Sequence, residues 1–197
     1  MKTTTMLMAM LLAPAALLAQ GAMGSMQATA TSTASARIPT DFSASGRVKL
    51  EATYARAREH HVPQEVIDHR VAEGEAKGAS EGDIVKSSAR VEGNMEAAQE
   101  AMVKAGHHPS DKEIEGGAYA MERGVTEAQI QTMAARAPSG RSLDVAFDAV
   151  TKLSESGMPV NTALIQVQSK LDAHASDAAI GSLVTKAQGG IKVGGGE

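Results

Sequence analysis

A proline, a hydroxyl residue 17 positions later and an isoleucine four further on occur together three times: Pro63, Ser80, Ile84; Pro109, Thr126, Ile130; Pro159, Ser176, Ile180. A small apolar residue precedes each hydroxyl (Ala79, Val125, Ala175), and an acid follows it (Glu81, Glu127, Asp177). The three copies align over 22 positions without a gap. Self-similarity at a fixed period restricts the chain to copies of one supersecondary unit that bury their apolar faces by stacking.

The apolar spacing inside the copies is helical. Val91, Met95, Ala98, Met102 and Ala105 recur at steps of three and four, as do Leu143, Phe147, Val150 and Leu153, and Val160, Ala163, Leu164, Val167 and Leu171. Each stripe suits a helix with one face on a core. No sustained alternation of apolar and polar residues predicts a strand. Glycine and proline divide each unit into three helices. The first spans roughly 46–59, 90–105 and 142–155, and the second ends near Lys77, Arg123 and Asp172. The third is short and capped by the recurring hydroxyl, with box spacing in Ser80/Asp83 and Thr126/Gln129. The expected fold is therefore all-α, three tandem copies of a three-helix unit with a period of 46–50 residues. It is either a short α-solenoid, comparable to armadillo and HEAT repeats in period and helix count alone, or a compact helical bundle.

The ends read differently. Lys2 and an apolar run from Met6 to Ala19 have the form of a secretory signal peptide, residues 1–19, with Leu17-Leu18-Ala19 or Gln20-Gly21-Ala22 at the cleavage site. Residues 20–44 form a Thr/Ser/Ala-rich leader, 45–187 the helical-repeat domain and 188–197 a Gly-rich tail. The expected location is secreted or periplasmic, with no membrane span in the mature chain. Absence of cysteine excludes disulfides and thiolate metal sites, so packing alone must hold the fold. Without residues 1–19 the chain carries 18 basic and 23 acidic residues, with two Phe, two Tyr and no Trp. Neither a basic surface nor stacking platforms for bases are expected, which argues against nucleic acid.

Few residues suggest chemistry. Gly78-Ala79-Ser80-Glu81-Gly82 fits a nucleophile elbow, but that motif needs a preceding strand, and the other copies place Thr126 and Ser176 at the same position. A hydroxyl repeated at every helix start is a cap. Met95, Met102, Met121, Met133 and Met158 fall mostly on the apolar stripes and are assigned to the core. The histidine pairs His60-His61 and His107-His108 precede the recurring proline in two units only. If stacked units align these turns, His60, His61, His107 and His108 would be metal ligands for one shared transition-metal ion. Otherwise they serve the negative ends of helix dipoles.

The sequence therefore favours an exported non-enzymatic repeat domain acting as a protein- or peptide-binding or structural module, requiring no cofactor, and displaying an exposed apolar patch or groove formed by equivalent helices of successive units. A small-ligand or metal-binding protein using the histidine pairs is the alternative. A hydrolase or lyase with a site assembled from distant residues is the third.

Overall fold

The computed structural model describes residues 37–191. The expected signal peptide, the leader up to residue 36 and the tail after residue 191 lie outside the described residues. Eight helices follow one another: α1 Ala44–Glu59, α2 Gln64–Ala76, α3 Glu81–Lys104, α4 Asp111–Glu122, α5 Glu127–Arg136, α6 Asp144–Glu155, α7 Val160–Asp172 and α8 Asp177–Ile191. The fold is all-helical, with no strand among the described residues.

Helix ends are set by one device used six times. At the ends of α1, α2, α3, α4, α6 and α7 a residue with positive φ turns the chain: His61, Gly78, Gly106, Gly124, Gly157 and His174. The amide after it then reaches back five residues, as in Val62 N to Ala57 O at 2.9 Å and Val125 N to Ala120 O at 3.1 Å. These bonds satisfy carbonyls the helix leaves free, the Schellman arrangement.

The triplet residues take the expected parts, with one correction. Ser80 and Thr126 cap α3 and α5, accepting from the amides of Asp83 and Gln129, and the Ser176 hydroxyl accepts from Ala179 N at 3.3 Å. Ile84, Ile130 and Ile180 are buried. Pro63 and Pro159 stand at the cap position, not the first helical position, and in the second unit Ser110 displaces Pro109 from it. The connection there is longer, because α3 ends five residues before Pro109 whereas α1 and α6 end four before Pro63 and Pro159.

A second correction concerns the boundary between units one and two. The expected short helix after Ser80 and the expected helix 90–105 are one uninterrupted helix, the 24-residue α3. Between Ile84 and Lys104 there is no proline, and the one glycine, Gly93, is exposed and helical. Between units two and three, Pro138 and Gly140 interrupt the chain, and residues 137–143 are not helical. This break accounts for the two periods: Ile84 to Pro109 is 25 residues, Ile130 to Pro159 is 29.

Packing is sequential. α1 and α2 lie on α3, α3 on α4 and α5, α4 on α6, and α6 on α7 and α8. Close approach depends on small residues where helices meet: a Cβ on Gly117 of α4 would sit 2.9 Å from the Ala98 Cβ of α3. The core is built from Ala, Val, Leu, Ile and Met, including Met95, Met102 and Met133, around Tyr54 and Phe147. It extends beyond the expected boundary of 45–187. Ile38 and Phe42, assigned above to the leader, are buried, and Arg37 pairs with Asp68 at 3.2 Å. At the other end α8 continues to Ile191, into the expected tail.

In units one and three the acid after the capping hydroxyl ties the unit internally. Glu81 accepts from Ser43 N and Oγ at 2.7 and 2.6 Å, holding the start of α1. Asp177 accepts from Arg141 at 2.5 Å, holding the approach to α6. In the second unit the first helix continues α3, so Glu127 has no helix start to hold.

Candidate functional site

The four histidines occupy non-equivalent positions despite their similar sequence setting. His60 caps the C-terminus of α1, and His61 is the exposed left-handed residue after it. In unit two Gly106 takes the left-handed position, so His107 falls one place later, where units one and three carry Val62 and Met158. His108 is exposed in the loop that follows.

His107 is thus a polar residue at a site that elsewhere holds an apolar one, and a buried acid meets it. Its Nε2 lies 2.7 Å from Glu113 Oε1. The same carboxylate accepts Leu143 N at 2.8 Å, Ser110 N at 2.9 Å and Ser110 Oγ at 2.8 Å. Burial raises the Glu113 pKa, but the Ser110 and Leu143 amides, the Ser110 hydroxyl and His107 outweigh it and hold the carboxyl below its ordinary value. A serine, a histidine and an acid meet here, yet both Ser110 and His107 bond Glu113. Glu113 joins the ends of α3, α4 and α6.

His60 faces a different pair of acids. Its Nδ1 is 3.1 Å from Glu96 Oε1. Glu92, one turn earlier on α3, has a side chain only 2 % exposed, and Arg56 Nε donates to its Oε2 at 2.9 Å. Glu92 Oε1 has no partner. Leaving a buried acceptor unsatisfied costs about 1–3 kcal/mol. Among the described residues, His60, Glu92 and Glu96 are the one group of three or more such side chains whose ligand atoms lie within 4.8 Å of one another. The two histidine pairs are not brought together into such a group. His60 lines a space with Glu96, Glu100 and Lys104, and His107 and His108 line another with Glu113 and Arg141.

A third feature lies between α4 and α6, a groove of about 410 Å³. Lys112, Glu115, Gly116 and Tyr119 form the α4 wall; Asp144, Val145, Asp148 and Thr151 form the α6 wall. Both sets recur at helical steps of three and four, which places each on one face. A Cβ on Gly116 would meet the Phe147 Cβ at 3.2 Å, so glycine lets the helices close at the groove floor. Three acids against one lysine give the lining a charge of −2. Tyr119 is half-buried under the Arg70 guanidinium, 5.8 Å from the ring centre, and the buried Thr151 Oγ1 has no partner.

The expected exposed apolar patch or groove is not formed among the described residues. Val48, Val103 and Ile165 are the exposed large hydrophobics among the described residues, and they lie on three different helices. Ser80 is a helix cap, with α2 and the left-handed Gly78 before it, as the comparison of copies indicated. Glu92, Glu96 and Glu113 were missed, although two of them left signals. Glu92 falls four after the buried Ser88 on the apolar side of α3, and Ser110-Asp111-Lys112-Glu113 has capping-box spacing. No helix among the described residues is long and apolar enough to cross a membrane. Comparison with protein-family models, curated proteins and solved structures finds no match to this chain.

Proposed function

We propose that the chain is an exported, non-enzymatic helical-repeat module that holds a basic segment of a partner protein in the α4–α6 groove. The carrying observation is the groove itself, whose acidic walls and half-buried Tyr119 complement a cation and its apolar stem. An acidic cleft with low-dielectric walls concentrates positive charge. Asp148 is engaged by Lys152 at 2.8 Å, an exposed i,i+4 pair that an incoming basic side chain can replace at little cost.

Titration of labelled Lys/Arg-rich and Asp/Glu-rich peptides, followed by anisotropy and by amide shifts, tests this reading. Basic peptides should bind, more weakly as salt rises, and should shift the resonances of Gly116, Tyr119 and Thr151. Combining Glu115→Gln with Asp148→Asn should weaken them. Equal binding of acidic peptides, or shifts confined to other helices, would refute the assignment.

A further inference from the structure

We infer that His60, Glu92 and Glu96 form a site for one divalent transition-metal cation of the zinc class. One imidazole nitrogen and two carboxylate oxygens suit a borderline ion of this kind. Glu92 and Glu96 are four residues apart on α3 and therefore share a face, while His60 reaches it from the end of α1. The observation that points to a ligand is independent of this clustering. Glu92 is almost wholly buried, yet its Oε1 contacts no donor.

Geometry and charge fit an ion. The three ligand atoms lie within 4.8 Å of one another, whereas a tetrahedral ion with bonds near 2.1 Å holds its ligands about 3.4 Å apart. Small side-chain rotations close that difference, because His60 and Glu96 are only partly buried, at 33 % and 34 % side-chain exposure. Arg56 on Oε2 fixes the Glu92 carboxylate with its other oxygen free, as an outer partner of a metal ligand does. The two carboxylates outweigh this single guanidinium. The ion would take the place of the hydrogen between His60 Nδ1 and Glu96. Three protein ligands leave a position for water, which makes this an open site. It lies on α1 and α3, apart from the α4–α6 groove, and the two assignments fail separately.

Chelator-treated full chain should be titrated with Zn²⁺ by calorimetry and with Co²⁺ by visible absorption. The expected result is one equivalent bound, with the absorption bands of four- or five-coordinate Co²⁺. His60→Ala and Glu96→Gln should each weaken binding by about tenfold or more, while His61→Ala and His107→Ala bind as wild type. Both informative variants are at partly exposed side chains, so circular dichroism should show them folded even if a Glu92 variant is not. Absence of saturable binding, or wild-type affinity in His60→Ala and Glu96→Gln, would overturn the site.

Discussion

His107 Nε2 and Leu143 N converge on one oxygen, Glu113 Oε1, at 2.7 and 2.8 Å. The two residues belong to different connections, so this carboxylate fastens the α3–α4 turn to the start of α6. Glu113→Gln turns one carboxylate oxygen into a donor facing other donors. It should destabilise the fold by about 1.5–3 kcal/mol, the range for a charged hydrogen bond, measured by urea unfolding.

The same group predicts an acid dependence. Its carboxyl titrates below the ordinary 4.5 in the folded chain, so its contribution is complete above about pH 4.5 and is lost as pH falls through the lower folded value. Thermal melts across this range should show the wild type losing stability on acidification more steeply than Glu113→Gln. Parallel acid limbs would contradict the assignment.

Two of the six left-handed turns carry histidine where the other four carry glycine. His61 and His174 have φ of 55° and 51° and are exposed. The αL conformation costs a side-chain-bearing residue about 1–2 kcal/mol, offset in part by the entropy glycine loses on folding. His61→Gly and His174→Gly should each stabilise by about 0.5 kcal/mol, and Gly124→Ala, at φ 97°, should destabilise. Chemical denaturation of the three variants reads the sign directly.

Gly93 and Gly117 lie in adjoining helices and should respond oppositely to alanine. A Cβ on Gly93 meets nothing within 4 Å, so Gly93→Ala should stabilise α3 by about 0.5–1 kcal/mol. On Gly117 it would meet the Ala98 Cβ at 2.9 Å, and Gly117→Ala should cost about 1–3 kcal/mol. A stabilised Gly117→Ala would show that α3 and α4 do not approach so closely.

The helix ends were legible in the sequence because their causes are local. Ser80, Thr126 and Ser176 bond amides three residues away, and Gly78 or Gly124 supplies its own backbone freedom, so neighbouring residues suffice to place them. Repetition added the burial of Ile84, Ile130 and Ile180. What was not legible depends on distant partners. Glu113 is defined by Leu143, 30 residues away, and Glu92 by Arg56, 36 away. The two histidine pairs sit differently because a one-residue shift in the left-handed turn, from His61 to Gly106, places His60 and His107 against different acids.

The unbroken α3 and the broken passage from α5 to α6 give the three copies unequal mechanical coupling. Units one and two are halves of one stiff rod, and neither can swing without fraying a helix of 24 residues. Unit three joins through the seven residues 137–143, through the packing of α4 on α6, and through Glu113 at Leu143 and Arg136 at Asp172. The third repeat is therefore the one that can part from its neighbour at a seam without breaking a helix. Because the α4–α6 groove lies along that seam, a ligand seated there would act as its clasp.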